Sequence, residues 1–194
     1  MKVLGLTGGI GMGKSTAASA FRRARFPVFD ADAEVHRMYA KGGSAVRPIE
    51  RAFPGTVVDG VVDRARLRPV LGQPENLRRL EAIVHPLIRQ AVERFVARGR
   101  RIGARVVVVD NPLLFEMGDA GRMDLVVVVS APRAVQVHRV RLRGKMSPEQ
   151  VAGVIARQMP DAQKRRQADV VVRTGLSRHH ALRRLRLLIQ ELLA

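Results

Sequence analysis

Apolar side chains follow two periods along this chain. Short, β-branched runs stand at residues 3–6, 27–30, 106–110, 125–130 and 170–173, and four of the five lack any in/out alternation. That pattern predicts strands buried on both faces of a parallel sheet. Apolar residues spaced three and four apart predict helices over 15–24, 132–143 and 177–193. The last helix places Leu182, Leu185, Leu188, Ile189 and Leu192 on one face, with Arg183, Arg184 and Arg186 mostly off it. Ser177 is suited to cap its start. Between the second and third strands runs a long helical stretch, from about residue 33 to 103. Pro74-Glu75 opens a helix there carrying Leu77, Leu80, Ile83 and Val84. His85-Pro86 is expected to interrupt it before it continues over 87–98. The order β–α–β, helical insertion, β, β–α, β–α predicts a doubly wound α/β layer. Ligands of such sheets sit outside the carboxyl ends of the strands, so an insertion leaving that edge is placed to cover a substrate.

The first of these strand–helix junctions carries the clearest chemistry. Gly8-Gly9-Ile10-Gly11-Met12-Gly13-Lys14-Ser15 fits G-x-x-x-x-G-K-[ST], and Thr16 follows. Glycines let main-chain N–H groups turn inward as an anion nest, and the helix start behind them adds partial positive charge. Residues 9–16 are therefore the expected ATP-binding loop. Lys14 is expected to reach the β/γ-phosphates, and the Ser15 hydroxyl to ligate Mg²⁺.

Two acidic strand ends add to this. The second strand runs into Asp30-Ala31-Asp32, where a carboxylate can take a proton from an attacking hydroxyl, hold Mg²⁺ through water, or simply cap the next helix. The third ends in Asp110 after four valines, the form of an acid poised near a metal through water. An arginine cluster, Arg139, Arg141 and Arg143, precedes Gly144-Lys145. Arg139 and Arg143 share a helix face and are expected to clamp a transferring phosphoryl group, with a solvated basic surface as the alternative.

Composition narrows the class. The chain has 194 residues, 46% hydrophobic and 27% charged, as expected for a globular domain. No apolar run approaches the ~20 residues of a membrane span. Cysteine is absent, which excludes disulfides and thiolate chemistry, and with no export-type leader at the start the cytoplasm is the expected compartment. Net charge is +18, carried by thirty arginines and five lysines, and favours polyanionic partners. Six Phe, one Tyr and no Trp leave little to stack on bases, so nucleic acid is not the expected partner. The five histidines show no zinc-ligand spacing.

Taken in order, these motifs resemble dephospho-coenzyme A kinases. The opening LTGGIGMGKST, Asp30-Ala31-Asp32, His85-Pro86, Asp110-Asn111-Pro112-Leu113-Leu114-Phe115-Glu116, the segment around 139–147, Gln158-Met159-Pro160 and Ala168-Asp169 all match, across essentially the whole chain. The resemblance implies an α/β P-loop NTPase three-layer fold with a five-stranded parallel sheet. It divides the single domain into a core of 1–32, 104–138 and 168–194, a CoA-side helical insertion of 33–103 and a lid of 139–167. It implies transfer of the ATP γ-phosphate to the ribose 3′-hydroxyl of dephospho-CoA, with Mg²⁺ as cofactor; a monomer is the expected state, with a small homo-oligomer as the alternative. Lys14, Asp32, Arg139 and Arg143 would be catalytic, Asp32 as general base. His85, Leu113 and Leu114 would lie on the substrate side, although a His before Pro is also suited to fixing a helix kink. Where the family often carries Asn near the adenine, Thr174 stands here, and Gly144-Lys145 makes the lid more basic than usual. A kinase of another small hydroxyl acceptor, or a basic nucleic-acid-binding ATPase, are the alternatives that the phosphate loop alone leaves open.

Overall fold

The structure is a computed structural model that describes residues 1–142, 144 and 147–194; Arg143, expected among the catalytic residues, lies outside the described residues. The chain forms two compact units, residues 1–29 with 96–194 and residues 30–95. In chain order the elements are β1 (Lys2–Thr7), α1 (Lys14–Arg23), β2 (Val28–Asp30), α2 (Ala31–Tyr39), α3 (Val46–Ala52), β3 (Val57–Val58) and β4 (Val61–Val62). Then follow α4 (Arg64–Val70), α5 (Pro74–Arg101), β5 (Val106–Asp110), β6 (Leu125–Ser130), α6 (Arg133–Leu142), α7 (Pro148–Arg157), α8 (Asp161–Arg166), β7 (Val170–Arg173) and α9 (Arg178–Leu193).

The first unit is built on a five-stranded sheet ordered β2-β5-β1-β6-β7. Its central strand β1 lies parallel to β5, with Leu4 opposite Val108, and parallel to β6, with Leu6 opposite Val127. Both neighbours are valine runs whose buried residues face the two sides of the sheet in turn, which is why they show no alternation. On one side, Ala17, Ala18 and Phe21 of α1 and Ala181, Leu185 and Leu188 of α9 join Leu4, Leu6, Val127 and Val129 in one core. The other side packs Val126 and Val128 against Leu114 and Phe115. Two aspartates satisfy strand-start amides: Asp124 Oδ2 accepts from Val3 N at 2.7 Å, and Asp169 Oδ2 from Val126 N at 2.7 Å. The Ala168-Asp169 motif thus serves to start β6.

A buried ion pair ties α8 to the segment after β5. Lys164 is only 1% exposed, and its Nζ lies 2.9 Å from Glu116 Oε1 while donating to Pro112 O at 2.9 Å. Glu116 Oε1 also accepts from Met159 N at 2.7 Å. Removing one partner strands the other charge, so Lys164→Met is expected to cost about 3 kcal/mol of stability in urea denaturation. The double variant Lys164→Met/Glu116→Gln should recover part of that loss. A Lys164→Met midpoint equal to that of the parent would show that the pair contributes nothing.

In the second unit, Asp30 caps α2 by accepting from Ala33 N at 3.0 Å. β3 and β4 form a hairpin closed by Asp59-Gly60, both at positive φ, as a type I′ turn requires. α5 runs without a break through Pro86. The expected interruption at His85-Pro86 does not occur, because the buried stripe Leu80, Val84, Ile88 and Ala91 keeps helical spacing straight across it. Among the described residues, no helix is long and apolar enough to cross a membrane.

Candidate active site

In the first unit, β1 feeds the glycine loop and Gly13 caps α1 in the left-handed region at φ 96°. The loop therefore turns directly into the helix start, with the helix dipole behind it. Lys14 Nζ lies 2.6 Å from Asp110 Oδ1 at the end of β5, and Asp110 is only 4% exposed on its side chain. The two residues predicted separately as phosphate-binding lysine and strand-end acid are thus in contact. Low local dielectric strengthens that attraction and fixes where the lysine points. Ser15 is exposed in the first turn of α1, beside this pair in sequence. A hydroxyl and a carboxylate are hard oxygen donors of the type Mg²⁺ takes when phosphate oxygens and water complete its shell, so the residues present fit that ion.

Around the loop, α6 and β7 supply a second layer. Thr174 Oγ1 donates to Met12 O at 2.6 Å and accepts from Arg139 Nη1 at 3.0 Å, while Arg139 Nη2 donates to Thr174 O at 2.7 Å. Arg139 is therefore anchored to the chain beyond β7, and through Thr174 to the phosphate loop. Thr174, in the place where the family often carries Asn, has its hydroxyl committed to this bridge. Of the loop residues 9–16 expected to bind ATP, three spend their amides on the protein: Ile10 N donates to Gln158 Oε1 at 3.0 Å, Met12 N to Gly9 O at 3.1 Å and Thr16 N to Gly13 O at 3.1 Å. Ile10 O accepts from Gln136 Nε2 at 2.9 Å. Leu114 is 0% exposed within the core, so its side chain packs the sheet and is not available to a substrate. Leu113 is half-buried, and its amide is held by Asn111 Oδ1 at 2.9 Å.

The second unit holds the other predicted residues. Asp32 is exposed in the first turn of α2, whereas Asp30 is the cap. His36, one turn on from Asp32, binds the Asp32 carbonyl through Nδ1 at 2.7 Å and faces Arg64 Nη1 through Nε2 at 3.2 Å. Burial raises the Tyr39 hydroxyl pKa, with the Arg64 guanidinium opposing the shift from above the ring. His85 is half-buried within α5.

Gln136, Gln158 and the Glu116–Lys164 pair were not assigned roles from sequence. Helical glutamines read as surface residues, and only the 3% exposure of Gln136 marks it as different. Gln158 and Glu116 each stand in a string that carries the family resemblance, whereas Gln136 and Lys164 stand in none.

A glycine loop closing onto a helix start, a lysine held by a strand-end aspartate and a parallel sheet flanked by helices define a P-loop protein built to hold a nucleotide's phosphates. Residues 2–178 match the family model described as dephospho-CoA kinase. A dephospho-CoA kinase of Mesorhizobium japonicum is 52% identical over 193 residues, spanning 99% of this chain and 97% of the relative. A crystal structure of a Thermus thermophilus protein superposes with a TM-score of 0.84 at 36% identity, covering 98% of this chain and 97% of the other. Dephospho-CoA kinase from Campylobacter jejuni shares the fold, with a TM-score of 0.73 at 23% identity over 97% of this chain and 96% of that one. The chain belongs to the dephospho-CoA kinase family, and it is an ATP-dependent kinase. Membership implies ATP and a divalent metal ion.

Proposed function

We propose that the chain transfers the γ-phosphate of ATP to the ribose 3′-hydroxyl of dephospho-CoA, giving CoA and ADP, with Mg²⁺ as the metal. The observation that carries the phosphate half of this reading is the Lys14–Asp110 contact at the mouth of the glycine loop. Main-chain amides of the glycine loop and the α1 dipole cradle the phosphates, and Lys14 neutralises charge on the β/γ-oxygens. Ser15, with Asp110 through water, would hold Mg²⁺, which supplies charge neutralisation on the phosphate oxygens.

Asp32 is the general base that takes the proton from the 3′-hydroxyl as it attacks. Two features favour it over Asp30: its exposure, and the use of Asp30 as a helix cap. Arg139 and Arg143 add positive charge where the transition state is most negative. His85 and Leu113 line the acceptor side. Both substrates are polyanions, so the arginine excess raises their encounter rate.

The test is mass-spectrometric detection of CoA from dephospho-CoA, ATP and Mg²⁺. Shikimate and a nucleoside serve as competing acceptors. CoA formation with dephospho-CoA preferred by orders of magnitude supports the assignment, and equal turnover of a competing alcohol refutes it.

A further inference from the structure

We propose that Gln136 and Gln158 are positioning residues that together hold Ile10 and so set the shape of the phosphate loop for ATP. This rests on the reading of that loop as the ATP site. Ile10 stands between Gly9 and Gly11, and a glycine-rich stretch loses more backbone freedom on ordering than any other sequence. An anion nest works only if its N–H groups are already aimed, so the loop must be fixed from outside. Two side chains do this at one residue. Gln158 Oε1 accepts from Ile10 N at 3.0 Å across 148 residues of sequence, and Gln136 Nε2 donates to Ile10 O at 2.9 Å across 126.

The direction of both bonds is forced by chemistry. A main-chain N–H can only donate, and a carbonyl oxygen can only accept, so each amide orientation follows from its partner. The glycines on either side have a packing reason that involves the same two residues. A Cβ at Gly9 would lie 3.2 Å from Gln136 Nε2 and 3.3 Å from Gln158 Oε1. At Gly11, where φ is +74°, a Cβ would lie 2.8 Å from Gln136 O. The loop is therefore shaped to receive the clamp, not merely touched by it. Gln158 is itself held in place, because the next amide, Met159 N, donates to the Glu116 carboxylate that pairs with buried Lys164.

The consequence is a division of labour within the loop. Ile10 is the residue anchored from outside the loop, Met12 N closes onto Gly9 O within it at 3.1 Å, and the phosphates fall to the amides of Gly11, Gly13, Lys14 and Ser15. Loosening either glutamine lets the anchor rotate and misaims those amides, which weakens ATP without touching the acceptor.

The experiment uses the full chain and reads ATP affinity by displacement of a fluorescent ATP analogue in the absence of acceptor, alongside steady-state kinetics and melting temperature. Gln136→Ala and Gln158→Ala are each expected to weaken ATP about 3- to 10-fold, with the KM for dephospho-CoA unchanged. The glutamate variants separate clamp from charge. Gln158→Glu keeps the accepting oxygen, whereas Gln136→Glu replaces the donor with a carboxylate facing the Ile10 carbonyl. Both add the same charge beside the loop, so the clamp requires Gln136→Glu to bind ATP roughly tenfold more weakly than Gln158→Glu. Equal affinities for those two variants overturn the proposal. So does a lowered melting temperature with ATP affinity unchanged in both alanine variants. If Gln136→Ala does not fold, Gln158→Ala decides alone, and affinity within twofold of the parent overturns it. A parent chain that binds ATP but yields no CoA counts against the proposed reaction and leaves this test intact.

Discussion

Lys14→Ala is expected to lower kcat by about a thousandfold, the scale seen when a preorganised charge donor is taken from a phosphoryl or acyl transition state. The KM for ATP should rise as well, because the lysine contributes in the ground state too. Stability complicates the reading, since Asp110 is 4% exposed and loses the cation 2.6 Å away. Stranding a buried carboxylate costs a few kcal/mol, so Lys14→Ala should also melt lower. Lys14→Ala/Asp110→Asn resolves the two effects, because the neutral amide has less to lose from burial. The double variant is expected to regain most of the melting temperature and none of the rate. If rate returned with stability, the lysine would be a scaffold for β5 and not a phosphate ligand. Lys14→Arg keeps charge but not the compact ammonium, and should remain severely slowed.

The sheet was the most legible part of the fold because its code is simple. Residues 106–110 and 125–130 can be read as buried parallel strands from valine content alone, and the structure pairs both with β1. The glycine loop was equally readable, since the chemistry of holding phosphate admits few sequences. The second unit was harder. Pro86 predicted a break in α5, since a mid-helix proline forfeits one hydrogen bond and crowds the preceding turn at roughly 3 kcal/mol. Leu80, Val84 and Ile88, buried at about 1.5–3 kcal/mol each, outweigh that, and the spacing of Leu80, Val84, Ile88 and Ala91 carried the information. The hairpin of β3 and β4 has only two residues per strand, too short for any period, although Asp59-Gly60 is a strong turn signal.

Within the site, the charged candidates are legible in the sequence and the amides that hold the loop are not. Lys14 and Asp110 announce themselves by type and position. Gln136 in α6 and Gln158 just past the end of α7 carry amides like those of any polar surface, and the long-range contacts to Ile10 distinguish them. Leu114 belongs to a motif that marks the family, and its side chain is 0% exposed in the core beside the sheet. Recurrence of a residue in a motif does not separate packing from chemistry; burial does.

Asp32→Asn is expected to cut kcat by about a hundredfold or more while ATP affinity stays within twofold, since the amide keeps the shape of the carboxylate but cannot accept the proton. Asp30→Asn is the matched control. Asp30 caps α2 through Ala33 N, and asparagine caps a helix about as well as aspartate, so that change should cost little stability and little rate. The contrast between neighbours two residues apart is what gives the experiment its force, because a general loss of negative charge would slow both. Should Asp30→Asn be the slow variant and Asp32→Asn the fast one, the base would be the capping residue, and α2 would have to give up its N-terminal hydrogen bond during turnover. Should neither change the rate, the 3′-hydroxyl would lose its proton without help from this strand end, as a loose, metaphosphate-like transition state permits, and the burden of catalysis would fall on the cationic side of the site.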